Sequence, residues 1–288
     1  MDRSTPAPYL EPLRFGEIID AGFRLWRKGF KELFIIASII TVPVGVISYL
    51  LERGQVVDIS STGEYLVRDT GQYGATLLAI SVLSIGASFL SAGAVLVLTT
   101  RAYIGAVLPW RDAFRVAVSR VFPFIGLSLL ILLAVGVGFI LLIIPGIIIG
   151  LGLAFGPVAF WAEGTTVSES LRRSWHLAKG RRWPLFGLFV VVWVANSIIG
   201  LIVIGPILAA LFADNTEVFL LTDNVGGAVA NALISPLLSC LLTAAYYDAR
   251  VRREGFDLQL AATMLDDEAV HDPGDGDGDG DGDGFIYR

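Results

Sequence analysis

Five long stretches of this chain carry no Asp, Glu, Lys, Arg or His: residues 33–51, 75–100, 121–162, 184–213 and 225–247. A helix that crosses a bilayer needs roughly 20 apolar residues, whereas ~10–14 suffice for a buried helix of a water-soluble domain. All five stretches meet the longer requirement, and 121–162 is too long for one crossing. Ile144-Pro145-Gly146 lies in its middle. Proline removes a helix donor and glycine frees the backbone, so a hairpin tip is expected there. The pattern predicts an all-α polytopic membrane protein with six spans, approximately 33–51, 75–100, 121–143, 146–162, 184–212 and 225–247.

Ahead of the first span the pattern changes. Phe15, Ile18, Ile19, Gly22, Trp26, Phe30 and Leu33 fall on one helical stripe, while Glu17, Asp20, Arg24, Arg27, Lys28 and Lys31 lie elsewhere. An apolar face with Trp and Phe opposite basic residues predicts a helix in the headgroup plane. Each Arg or Lys there contributes about 1 kcal/mol against anionic lipid. A plain juxtamembrane elbow would show the same pattern.

Similar segments recur before spans 3 and 5. Glu17, Phe23, Leu25 and Leu33-Phe34 align with Glu169, Trp175, Leu177 and Leu185-Phe186 at a constant offset. Asp112-Ala113-Phe114-Arg115 takes the same place before span 3. Phe122-Pro123-x-x-Gly126-Leu127 matches Trp183-Pro184-x-x-Gly187-Leu188. The chain reads as three copies of one unit, each an amphipathic helix, a span, a link and a returning span.

Charge gives the orientation. Residues 1–32, 101–120, 163–183 and the segment after 247 hold 19 of the 21 Lys and Arg; only Arg53 and Arg68 fall in the other connections. Basic residues near span ends stay in the cytoplasm. Both termini are therefore expected on the cytoplasmic face of the plasma (inner) membrane. Pro6, Pro8, Glu11 and Pro12 precede any apolar run. Span 1 is accordingly expected to act as an uncleaved insertion signal.

Composition refines this picture. The chain is 55% hydrophobic and only 17% charged, with mean hydropathy +0.70. The net charge of −6 conceals a basic membrane face and an acidic tail of alternating Asp and Gly within residues 259–288. Such a tail cannot bury apolar surface and is expected to be disordered. Asp277, Asp279, Asp281 and Gly282 resemble the start of a calcium loop, but Arg288 stands where the closing Glu belongs. Residues 1–12 form an N-terminal cytoplasmic segment and 13–258 the membrane domain. The single cysteine, Cys240, excludes an intrachain disulfide.

No catalytic constellation emerges. His176 and His271 are isolated, and metal sites need several ligands. Neither a His-Glu-x-x-His pattern nor a phosphate-binding Gly-Lys-[Ser/Thr] occurs. Gly136-x-Gly138 sits inside a span. Ser84/Ser88/Ala92, Gly146/Gly150 and Gly152/Gly156 have the spacing of close-packing faces. The spans lack charge, which disfavours proton or ion coupling. Asn196 and Asn231 are the strongest intramembrane polar groups, able to bond across helices or to line a pathway. Neither a metal nor another cofactor is expected.

The dense polar run Tyr246–Leu258 follows the last span. Asp248 and Arg252 are spaced to pair along one helix face. Arg250 and Arg253 could reach phosphates, and Tyr246 and Tyr247 suit an interfacial aromatic anchor. Three motifs then stand in order. They are Leu13-x-Phe15-Gly16-Glu17-Ile18-Ile19-Asp20-Ala21-x-Phe23-Arg24-Leu25, then Glu163-x(5)-Glu169-Ser170-Leu171-Arg172-Arg173-Ser174-Trp175-x-Leu177-x-Lys179-Gly180, then Tyr247-Asp248-x-Arg250-x-Arg252-Arg253-Glu254-Gly255-Phe256-Asp257-Leu258. Together they resemble the glycerophosphoryl diester phosphodiesterase membrane-domain group over residues ~10–260. In some relatives that region is fused to a catalytic barrel of a few hundred residues. Only 30 residues follow Leu258, so the resemblance carries over no catalytic residue.

The expected function is a non-enzymatic scaffold or accessory protein. Its expected partners are anionic headgroups of the inner leaflet or a protein docked at the same face, not nucleic acid. The candidate docking residues are Glu17, Asp20, Arg24, Glu163, Glu169, Arg172, Arg173, Trp175, Tyr247, Asp248, Arg250, Arg252, Arg253 and Glu254. The alternative is a transporter or permease-like component using Asn196 and Asn231. A lipid-modifying enzyme is the weakest reading.

Overall fold

The computed structural model describes residues 12–59, 65–106, 108–212 and 215–255. The Asp/Gly tail, His271, Phe256-Asp257-Leu258 and nearly all of the 1–12 segment lie outside the described residues. Six helical segments are long and apolar enough to cross a membrane, making the chain a multi-pass membrane protein. They are α2 (Phe30–Glu52), α3 (Thr70–Tyr103), α5 (Val121–Leu141), α6 (Ile143–Leu153) continued by α7 (Gly156–Glu163), α9 (Arg182–Phe212), and α10 (Thr216–Leu221) continued through a π-helical turn (Thr222–Gly226) into α11 (Gly227–Glu254). Three shorter helices, α1 (Phe15–Lys28), α4 (Trp110–Ser119) and α8 (Val167–Ala178), precede α2, α5 and α9.

Large aliphatic side chains remain exposed along α5, α6 and α9; Ile140 is 86% and Leu201 69% exposed. A water-soluble monomer rarely leaves contiguous surface of this kind uncovered. Hydrocarbon covers it without cost.

The boundaries depart from the sequence pattern in three places. The turn between spans 3 and 4 is Leu142, in extended conformation, and not Ile144-Pro145-Gly146. Pro145 instead sits in the first turn of α6, where a missing N–H removes no helical bond. A small antiparallel hairpin, β1 (Val56–Ile59) with β2 (Tyr65–Val67), joins α2 to α3, so the chain is nearly but not wholly α. Its strands are too short to show a period in the sequence.

Span 4 also breaks after Leu153. Backbone groups freed at membrane depth need partners within the protein. Ser174 of α8 supplies them: the Phe155 N–H donates to its Oγ at 3.0 Å, and that hydroxyl donates to the Gly152 carbonyl at 2.9 Å.

The core gathers around α11, whose residues Cys240 to Ala249 are buried among α1, α2, α3 and α9. The apolar stripe expected on α1 exists, but protein covers its middle, while Phe15 and Phe30 stay exposed. Ile18, Ala21 and Gly22 are buried, and α1 runs antiparallel to the last turns of α11. A Cβ at Gly22 would lie 2.5 Å from Leu241 Cδ2 and 3.0 Å from Leu241 Cα. Backbone cannot yield as a side-chain tip can, so Gly22→Val is expected to destabilise the fold by ~1–3 kcal/mol. A lowered thermal unfolding midpoint in detergent is the readout; an unchanged midpoint would mean that α1 does not depend on this contact.

Candidate functional site

The last two turns of α11 carry Asp248, Arg250, Arg252, Arg253 and Glu254, which together bind α11 to Leu13, to Glu163 and to α8. Asp248 is buried. One carboxylate oxygen accepts the Leu13 N–H at 2.7 Å and a bond from Arg252 Nε at 3.1 Å. The other pairs with Arg181. Arg252 also donates to the Leu13 carbonyl at 2.7 Å. The entry to α1 is thereby fastened at both its N–H and its C=O.

A second knot forms along the same turns of α11, from Tyr246, Arg250 and Glu254. Glu163, at the end of α7, accepts from the Tyr246 hydroxyl, pairs with Arg173 of α8, and lies 3.5 Å from Arg250. Glu254 joins them, 2.8 Å from Arg173 and 3.1 Å from Arg250. Burial pulls the Arg173 guanidinium down, but the bonds to Glu163 and Tyr246 outweigh it and hold the group above its ordinary range. Arg181 goes the other way: burial lowers it, and Asp248 recovers only part. Both remain charged, because arginine starts so far above neutrality.

Local turns make these pairings possible. Gly164 (φ 66°) ends α7 and Gly180 (φ 81°) ends the α8 turn, in a left-handed conformation that costs glycine little. The turns let α8 fold back along α6 and α7. Arg253 then donates to the carbonyls of His176 and Lys179 at the end of α8. A cation there complements the helix dipole as well as the unmade backbone bonds.

Several candidate residues have structural partners that the sequence does not reveal. Glu17 accepts the Arg14 N–H at 2.6 Å, and Glu169 accepts the Thr166 N–H at 3.0 Å, so the aligned glutamates cap α1 and α8 alike. The Thr166 bonds hold the Glu169 carboxyl below the usual carboxylate range. Tyr246 and Tyr247 are buried and do not form an interfacial belt. Tyr247 stacks on Tyr103 at 4.8 Å and donates to the Thr100 carbonyl at 3.3 Å. They are buried because α11 is the central helix, a placement that composition does not disclose. Trp175 covers Gly152, where a Cβ would meet its ring at 2.5 Å, and carries the Arg182 guanidinium 4.9 Å above it. Arg24 is half-buried, and Asp20 is exposed.

An open cavity of about 420 Å³ adjoins the second knot, lined by Glu163, Thr165, Glu169, Arg172, Arg173 and His176. Glu163 is already matched by two arginines and a tyrosine. Glu169 is exposed but held by the Thr166 cap, so Arg172 is the exposed cation that this cavity presents. Among the described residues, no group of three or more His, Cys, Asp or Glu side chains is placed to hold a metal ion.

Asn196 and Asn231 do not meet. Asn196 is exposed on α9, and Asn231 faces a separate crevice among α2, α3 and α11. The sequence reading missed Arg181 and Ser174, whose partners lie in distant segments. It also missed Glu52, Asp223 and Asn224, which sit one or two residues outside the charge-free stretches. Extending each stretch by one helical turn would have exposed these last three.

The family model described as "Domain of unknown function (DUF7847)" matches residues 33–250 of the chain. No solved structure matches it.

Proposed function

We propose, for a chain that belongs to the DUF7847 family of unknown function, that it is a non-enzymatic membrane scaffold whose basic end receives anionic lipid headgroups. The observation that carries this reading is the cavity of about 420 Å³ beside α8, where Arg172 faces outward while Glu163 is matched by Arg173 and Arg250 and Glu169 is held by the Thr166 cap. Arg172 is the first contact for a phosphate, and His176 and the Thr165 hydroxyl are within the same cavity. Arginine suits the role because its planar donors match phosphate oxygens.

On this reading the basic end is cytoplasmic, in the plasma membrane, with both termini inside, as the asymmetry of Lys and Arg implies. The six spans are three related hairpins. In support, Leu127 and Leu188 are both buried at the aligned positions, and Phe122 and Trp183 are exposed to 82% and 84%. The likeness to the glycerophosphoryl diester phosphodiesterase membrane-domain group belongs to the same proposal and rests on the three motifs. Leu13 of the first motif, Glu163 and Arg173 of the second, and Asp248, Arg250, Arg252 and Glu254 of the third meet in the two knots, which together form a clasp at the end of α11 and supply a physical reason for the motifs occurring together.

The test is the stability of purified protein in vesicles of graded anionic lipid content. Stability should rise with the anionic fraction, and Arg172→Ala should remove about 1 kcal/mol of that rise. Indifference to headgroup charge, in wild type and variant alike, would sink the reading.

A further inference from the structure

A second polar site lies at the other end of the bundle, between α2, α3 and the start of α11. There the structure forms a crevice of about 270 Å³ whose polar lining comes from Thr41, Ser48, Ser84, Ser88, Asp223, Asn224 and Asn231. Each helix contributes from one face. Ser84 and Ser88 are one turn apart on α3, and Asn224 of the π-helical turn lies two turns ahead of Asn231 on α11. The sequence reading gave the α3 serines a packing role; they border open space instead. Ser88 lies near the middle of the 34-residue α3, so the crevice reaches well into the spanning region.

Polar groups at that depth cost several kcal/mol each if nothing satisfies them. Some are satisfied internally. The Asn224 amide nitrogen donates to Glu52 at 2.9 Å and to the Leu220 carbonyl at 3.2 Å, and Ser48 donates to the Val44 carbonyl at 2.9 Å. Close approach of α2 to α11 holds the walls in place: a Cβ at Gly45 would meet the Asn224 carbonyl oxygen at 2.7 Å. The π-helical turn Thr222–Gly226 sets Asp223 at the rim. Asp223 has no hydrogen-bond or ion-pair partner among the described residues.

The charge balance selects the ligand. No lining residue is basic. Glu52 stands behind Asn224 and adds a second carboxylate, and the nearby Arg53 is engaged by Glu217 at 3.1 Å. Amide and hydroxyl groups offer both donors and acceptors. The absence of a three-ligand cluster among the described residues turns the choice away from a bare metal ion. The volume lies just below the range of small-molecule sites.

We propose that this crevice binds a small hydrophilic organic ammonium ion, its charge on Asp223 and its remaining polar groups on the serines and asparagines. The site is independent of the headgroup cavity at the clasp, and either can fail without the other.

The experiment uses full-length protein in nanodiscs, with glucosamine and putrescine as probes and glucose as the uncharged near-isostere of the first. A saturable rise in unfolding midpoint is expected with at least one amine and none with glucose. Asp223→Asn should weaken amine binding by about tenfold or more, the loss of one charge-assisted hydrogen bond. A second variant guards against misfolding of the first. Ser84→Cys should react with a small water-soluble thiol reagent, because the native Cys240 is fully buried, and a saturating amine should slow that reaction at least several-fold. Equal responses to glucosamine and glucose, no response to either amine, unaltered binding in Asp223→Asn, or labelling of Ser84→Cys that ignores the amine would each overturn the proposal.

Discussion

Asp248→Leu should lower the stability of the folded protein by ~3–5 kcal/mol, the cost of removing one partner from a buried ionic group. Asp248 is buried and meets three donors on its two oxygens, the Leu13 N–H, Arg252 and Arg181, while Arg252 also donates to the Leu13 carbonyl. Without it, Arg181 keeps its charge in a site where its side chain is only 17% exposed. The Leu13 N–H also loses its acceptor, and a buried unsatisfied donor costs about 1–3 kcal/mol on its own. The measurement is equilibrium unfolding in mixed micelles. A double-mutant cycle with Arg181→Leu separates the terms: the pair of substitutions should cost clearly less than the sum of the singles. Strict additivity would mean that the two groups are not coupled.

Glu163→Leu should be of similar size, again ~3–5 kcal/mol by the same reasoning. It leaves Arg173 and Arg250, whose side chains are 28% and 14% exposed, both against Glu254. Two guanidiniums then face each other across one carboxylate, and the Tyr246 hydroxyl has no acceptor. Glu163→Gln is the informative companion. It keeps the tyrosine bond but removes the charge, so it should recover only part of the loss. If Glu163→Gln were as stable as wild type, the knot would be a hydrogen-bond network and not an ionic one. Glu163→Leu should also loosen α8, because Arg173 is one of the links between that helix and α11. Headgroup sensitivity should therefore fall in Glu163→Leu even though Glu163 itself repels phosphate.

These two clusters explain why the polar motifs were legible as unusual but not as a structure. Glu17 and Glu169 stood out because they align in a repeat; what they do is cap helices, which spacing from the helix start could have indicated. Asp248, Arg252 and Arg253 stood out because charge is scarce here. Their partners are Leu13, Arg181, His176 and Lys179, residues that no local pattern connects to the end of α11. The same holds for Ser174, which reads as one more small polar residue until the break after Leu153 needs a donor and an acceptor.

The existence of six spans followed from the sequence alone, because a bilayer demands long apolar runs and the chain has little else that is long. The amphipathic character of α1 followed too, since periodicity records which residues share a face. What that face meets did not follow. Hydrocarbon and a neighbouring helix are equally apolar, so only the tertiary structure could decide that Ile18, Ala21 and Gly22 lie on α11 and not in lipid. The tertiary structure likewise decided that the serines of α3 border a polar crevice. Small size and polarity serve close packing and ligand binding equally well, and the distinction rests on whether a second helix fills the space.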